Sequence, residues 1–135
     1  MLLGFDVGGT NVRLLLIEPR TGEVLDRDRE SSAGPGPVLL ETWIRMSERM
    51  QMHHGGEISA IGLGVAGLAH RSGIIRYSPN LPELIEYPLG SELAAATKDS
   101  VQVMNDATAA AWAEAKFGGG RGSDDFILAA LGTGI

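Results

Sequence analysis

A chain of 135 residues with 44% hydrophobic content can bury one core of ordinary domain size, so a single domain is expected. Its 11 basic and 17 acidic residues leave a net charge of −6, opposite in sign to the basic footprint of nucleic-acid binders, and no nucleic-acid partner is expected. The lack of cysteine excludes disulfides and thiolate metal sites within the chain. No apolar run approaches the roughly 20 residues that a bilayer span needs, and no basic leader precedes the first strand-like run. The expectation is therefore no membrane partner and a cytoplasmic location.

Strands come first along the chain. Residues 2–7 and 12–17 are apolar runs joined by Gly-Gly-Thr-Asn, and residues 23–29 follow Pro-Arg-Thr-Gly, which predicts an antiparallel meander. The cluster SSAGPGP at 31–37 breaks that pattern. Beyond it Leu39, Trp43, Met46 and Met50 recur at helical spacing on one face and predict a helix of about four turns. His53 and His54 precede Gly55-Gly56 at the end of this helix, where the helix dipole or plain solvent exposure accounts for them better than metal binding does. Residues 58–66 make a nearly continuous apolar strand with glycines at 62 and 64, and 101–104 make a short buried one. The chain between them is loop-rich, apart from the helix-forming stretch 89–97. Residues 107–117 have helical composition, 118–125 are a glycine-rich loop, and 126–131 read as a last strand entering Gly-Thr-Gly.

Strands and helices alternating after a meander predict an α/β layer fold: a mixed sheet with antiparallel first strands, parallel later ones and flanking helices. Ligands of such sheets gather at the carboxyl ends of strands. Three polar elements fall there: Asp6 with Gly8, Gly9 and Thr10; Asn105 with Asp106; and Gly132, Thr133 and Gly134.

The first of these, in FDVGGTNVRLLLIE, suits phosphate binding. Glycines let a tight turn adopt unusual backbone angles and expose successive N–H groups to phosphate oxygens, and the Thr10 hydroxyl adds a donor. Asp6 would repel a phosphate, so its useful role is to hold a magnesium ion through water beside the phosphates. A Gly-Gly pair between strands is also, and more commonly, only a hairpin turn, and the motif has the spacing of neither a P-loop nor a dinucleotide fingerprint. In VQVMNDATAAAWAE, Asn105 and Asp106 follow an apolar strand and open an alanine-rich helix. Helix capping explains the pair as well as function does. Functionally, Asp106 would accept a proton from a substrate hydroxyl while Asn105 hydrogen-bonds a neighbouring one.

The segments DVGGTN, GLGVAG, GIIRYSPNLP, VMNDATAAAWAE, FGGGRG and LGTGI occur in the order seen in ROK proteins. The chain resembles ROK-family sugar kinases, bacterial glucokinases above all, over essentially its whole length. The resemblance implies the actin-like ATPase (ribonuclease H-like) fold, in which two lobes face each other across a cleft. It further implies transfer of the ATP γ-phosphoryl group to the 6-hydroxyl of a hexose, glucose being the leading choice, with Mg²⁺ as counter-charge. Asp6 then matches the metal-associated aspartate of the first phosphate motif, whose hairpin is Gly8, Gly9 and Thr10. Asn105 and Asp106 match the sugar-contacting asparagine and the catalytic base. Gly132, Thr133 and Gly134 match the opening of the second phosphate motif. Gly67 and Asn80 lie in segments that border the sugar pocket, where a turn glycine and a loop asparagine serve equally well.

The family's second lobe, with its glutamate and histidine sugar ligands, cysteine-rich zinc motif and adenosine pocket, has no counterpart in these 135 residues. Residues 1–135 are accordingly expected to be a single amino-terminal lobe, and to form homo-oligomers. Two alternatives stay open. One is the sugar-sensing domain of a ROK transcriptional repressor, against which Met1 directly preceding the first strand counts. The other is a non-catalytic module that binds sugar or phosphate.

Overall fold

The computed structural model describes residues 1–130. The elements run β1 (Leu2–Val7), β2 (Asn11–Ile17), β3 (Val24–Ser31), α1 (Gly36–His54), β4 (Ala60–Val65), β5 (Leu68–Ala69), β6 (Ile75–Tyr77), α2 (Leu89–Thr97), β7 (Ser100–Asn105) and α3 (Asp106–Phe117), with a 3-10 turn at Pro82–Leu84. Five strands form one sheet in the order β3-β2-β1-β4-β7. β1–β2 and β2–β3 are antiparallel, whereas β1–β4 and β4–β7 are parallel, as the meander followed by crossovers predicts.

Alternation along the strands decides which face is buried. Leu3, Phe5 and Val7 of β1, Val12, Leu14 and Leu16 of β2, and Ile61, Leu63 and Val65 of β4 all turn to the same side. There they meet Leu39, Trp43, Met46 and Met50 of α1 and Leu89 and Leu93 of α2. Each such side chain contributes roughly 1.5–3 kcal/mol when fully withdrawn from water. The Phe5 and Trp43 rings, with centroids 6.4 Å apart, sit in this layer.

The other face is covered differently. The start of α3 packs over Gly64: a Cβ there would lie 3.5 Å from the Asp106 Cα and 3.6 Å from the Ala109 Cβ, within ordinary contact distance. No residue of α3 is itself buried. Beside the helix an apolar groove of about 770 Å³ runs over the sheet, lined in part by Leu15, Ile17, Met104 and Trp112.

Three differences from the sequence expectations have physical causes. Helix α1 spans 19 residues, longer than about four turns, because it begins inside the breaker cluster, with Pro35 at its N-cap and Pro37 in its first turn, where helices accept proline. The stretch read as loop holds the β5–β6 hairpin and the 3-10 turn, bridged by Ile75 and Tyr87 and anchored by buried Ile75, Leu81 and Leu84. Strands of two or three residues are too short to show a periodicity. Finally, residues 126–130 form no strand. Phe126 packs over Gly120 instead, and Ile127 is 95% exposed. An apolar run alone carries no ladder partner, and this one finds none among the described residues. No helix among them is long and apolar enough to cross a membrane.

Candidate functional site

The sheet register gathers the predicted site at one edge. Val7, Val65 and Asn105 lie side by side at the carboxyl ends of three parallel strands. One residue earlier, Asp6, Gly64 and Met104 form the adjacent row on the groove face. Gly64 has no side chain to fill the space between β1 and the start of α3, and Asp6 and Asp106 both line the same groove.

Asp6 is held by its cross-strand partner. Its Oδ2 accepts from Arg13 Nη1 at 3.2 Å, and both side chains are about 60% exposed, at 60% and 62%. Arg13 was not singled out from the sequence, yet a four-residue turn that pairs Val7 with Val12 places Arg13 opposite Asp6. The Asp6 Oδ1 takes no hydrogen bond among the described residues. An exposed carboxylate with one free oxygen fits Mg²⁺, which keeps several waters and needs only one or two carboxylates.

The hairpin tip corrects one expectation. Neither Gly8 nor Gly9 has a φ in the left-handed region, so unusual backbone angles are not what requires glycine there. The Gly8 N–H donates to the Asn11 carbonyl at 3.0 Å and is committed to the turn. Gly9 is required by close approach: a Cβ would lie 2.6 Å from the Asn80 Cβ and 3.1 Å from the Asn80 carbonyl oxygen. The predicted phosphate turn and the predicted sugar-side Asn80 are thus in contact. Thr10 is exposed at the tip, and its carbonyl accepts from the Ser32 N–H at 3.0 Å.

Gly67 is joined to the second carboxylate motif. Its φ is +144°, and a Cβ would lie 3.0 Å from the Ser78 Cα and closer still to the Tyr77 carbonyl oxygen, so glycine is needed for both reasons. The buried Ser78 hydroxyl donates to the Ala66 carbonyl at 2.6 Å, and the Ala66 N–H donates to the Val7 carbonyl at 3.1 Å. Asn105 Nδ2 donates to the Gly67 carbonyl at 2.8 Å, bridging 38 residues of sequence. The same amide donates to Asp106 Oδ1 at 3.0 Å, while Asn105 Oδ1 accepts from the Thr108 N–H at 3.0 Å and its hydroxyl at 3.3 Å. Asn105 is therefore the N-cap of α3 and has its full complement of partners. A direct contact to a hydroxyl group would need one of these bonds to be exchanged, and the exposed one to Asp106 is the most accessible.

Asp106 opens α3 with its two oxygens in different states. Oδ1 accepts from the Ala107 N–H at 2.8 Å and from Asn105. Oδ2 has no partner among the described residues, and the residue is exposed at the groove. The carboxylate is oriented through one oxygen and available through the other. Gly132, Thr133 and Gly134 lie outside the described residues.

The chain is similar to sugar kinases and to a transcriptional regulator. The chain is 37% identical to the glucokinase of Thermotoga maritima, an alignment covering 99% of this chain and 42% of that protein. It superposes on the crystal structure of a ROK family glucokinase from Streptomyces griseus in complex with glucose and AMPPNP with a TM-score of 0.79 and 25% identity, over 90% of this chain and 38% of that one. A ROK family transcriptional regulator, a homologue of the E. coli MLC protein, superposes with a TM-score of 0.77 and 25% identity, over 86% and 30% of the two chains. The chain thus spans about two fifths of the length of the glucokinases it matches. Residues 2–135 match the ROK family, and the chain, with the actin-like mixed sheet of its sugar-kinase neighbours, belongs to that family.

Proposed function

We propose that this chain is the amino-terminal lobe of an ATP-dependent hexose kinase, glucose being the favoured acceptor, and that it supplies the first phosphate motif and the general base. The observation that carries the reading is the Asp106 carboxylate, fixed through Oδ1 by Ala107 and Asn105 and open through Oδ2 in a groove it shares with Asp6. Family membership and the glucose- and AMPPNP-bound neighbour support the same reaction class.

In that reaction the acceptor 6-hydroxyl oxygen bonds to the γ-phosphorus of ATP, the bond to the β-phosphate bridging oxygen breaks, and ADP leaves. The hydroxyl proton passes to Asp106 Oδ2. Asn105 fixes the base and ties it to the Gly67 turn, which with Asn80 borders the acceptor. Gly9 and Thr10 present the hairpin N–H groups and a hydroxyl to phosphate oxygens, and Gly132, Thr133 and Gly134 are the proposed second phosphate contact. Asp6 would hold Mg²⁺ through water, and bound magnesium supplies counter-charge for the phosphates.

In the two-lobed protein containing this chain, Asp106→Asn keeps an acceptor for the Ala107 N–H and so preserves the local fold. ADP release in a coupled assay should fall about 10²–10⁴-fold, the usual worth of a positioned acid or base, while sugar affinity stays within a few-fold of wild type. Near-normal turnover would refute the assignment. The superposition on a transcriptional regulator favours a second reading, a sugar-sensing domain. Saturable sugar binding with no ATP-dependent phosphorylation by the unmutated protein would select it, and sugar or phosphate binding with neither turnover nor a DNA-binding segment would indicate a non-catalytic module.

A further inference from the structure

Away from this groove, β3 and α1 are joined by a ladder of charges whose two periodicities match. Asp26, Asp28 and Glu30 alternate along β3 on the side facing α1, a step of roughly 6.6 Å for two strand residues. Arg45, Arg49 and His53 recur every four residues on α1, a step of roughly 6.0 Å. The two elements run in opposite directions along the ladder. Glu30 pairs with Arg45 Nη2 at 2.9 Å and with Arg49 Nη2 at 2.7 Å, and Asp28 also accepts from Arg49. The third rung differs. There Asp26 Oδ2 meets not a guanidinium but two imidazoles, His54 Nε2 at 2.6 Å and His53 Nδ1 at 3.6 Å.

Guanidinium groups have no lone pair to offer a metal, but neutral imidazoles do. One donor atom from each of Asp26, His53 and His54 lies within 4.8 Å of the others. Ligands bound at 2.0–2.1 Å with a tetrahedral angle sit about 3.3–3.4 Å apart, so the two observed Asp26–imidazole separations lie on either side of what a zinc ion needs. The site also lies at the C-terminus of a 19-residue helix, whose dipole favours a cation.

We propose that Asp26, His53 and His54 form a divalent transition-metal site, best suited to Zn²⁺, that closes the third rung between β3 and α1 and leaves a fourth position to water. Two nitrogen donors and one carboxylate select against the oxygen-seeking Mg²⁺ and Ca²⁺. The site is independent of the proposed kinase chemistry, since none of its ligands lines the groove.

The test is a calorimetric titration of metal-free protein with ZnCl₂, with MgCl₂ as control. The expected result is one Zn²⁺ per chain, no heat with Mg²⁺, and a rise in Tm on zinc addition. His53→Ala changes a side chain that is 76% exposed, so its melt in EDTA should match wild type. Its zinc affinity should fall more than about tenfold, because loss of even an outer-shell partner costs that much. Asp26→Asn should weaken zinc similarly, and His70→Ala, which removes the remaining histidine of the chain, should not. No zinc binding by the wild-type chain would overturn the proposal. So would equal binding by wild type, His53→Ala and Asp26→Asn, or loss on His70→Ala alone.

Discussion

Replacing Gly9 by alanine probes the contact that holds the hairpin tip against the Asn80 loop. The new Cβ would stand 2.6 Å from the Asn80 Cβ, against the 3.5–4.0 Å of a relaxed carbon pair, so the two segments must separate by roughly 1 Å. Asn80 meets the clash with its Cβ and its backbone oxygen rather than with a flexible side-chain end. Overpacking of this kind costs about 1–3 kcal/mol, and an exposed loop that can shift belongs in the lower half, about 1–2 kcal/mol. With an unfolding entropy of about 2.1 cal/mol/K per residue, a chain of 135 residues gains or loses about 1 °C of Tm per 0.28 kcal/mol, so Gly9→Ala should melt about 4–7 °C below wild type by circular dichroism. Asn80→Gly removes the opposing Cβ and Cγ. Since Gly9 has no left-handed φ, relief of the clash should be the dominant coupling. The double variant should therefore melt at least about 2 °C above the sum of the two single effects, an interaction of about 0.5 kcal/mol or more. Strict additivity would mean that Gly9 is needed for something other than its contact with Asn80, and the link between phosphate turn and sugar-side loop would fall.

In the proposed two-lobed kinase, Asp6→Ala should raise the Mg²⁺ concentration needed for half-maximal turnover about tenfold or more and leave Tm within about 3 °C, because the exposed Arg13 pair it removes is worth under about 1 kcal/mol. A large Tm loss with unchanged Mg²⁺ dependence would make Asp6 structural. Glu30 predicts a pH dependence: the Arg49 hydrogen bond, then the Arg45 one, holds its carboxyl below the ordinary 4.5. A depressed carboxyl pKa gives stability that is complete above the ordinary value and disappears as pH falls through the lowered one. Glu30→Gln should accordingly melt up to about 3 °C lower at pH 7, with the deficit shrinking as pH falls below 4.5; a deficit that does not shrink at all on acidification below 4.5 would rule out the charge ladder as its source. The 135-residue chain by itself should form dimers or larger species in sedimentation velocity through its apolar groove, where Trp112 is 55% exposed, and Trp112→Gln should shift it at least about twofold in apparent Kd toward monomer. A strictly monomeric wild-type chain at high concentration would contradict this.

Much of the fold was legible because its signals are local. The alternation in β1, β2 and β4 and the Leu39, Trp43, Met46 and Met50 stripe are produced by the same burial that folds them. Asp6, Gly9, Gly67, Asn80, Asn105 and Asp106 were all legible as candidates, and the structure brings them to one edge. The reasons behind them were less legible, since they depend on partners far away in sequence. Gly9 owes its identity to Asn80, and Gly67 to Tyr77 and Ser78. His53 and His54 read as helix-end residues until β3 brings Asp26 beside them, and no spacing rule joins positions 26 and 54. Residues 126–130 misled for the converse reason: their composition suits a strand, but a strand also needs a neighbour.

The central position of β1 bears on how the protein would lose function when heated. β1 is paired on both sides, under the Phe5–Trp43 layer, and its amides can exchange with solvent only when the sheet itself opens. Asp6 rides on that strand, whereas Gly9, Asn80 and the N-terminal turn of α3 lie in exposed segments that open at lower cost. On warming, the alignment of hairpin, loop and Asp106 should blur while Asp6 still holds its place, so in the proposed kinase turnover would decline well before far-UV ellipticity does, and cooling from that interval would restore it without any refolding step.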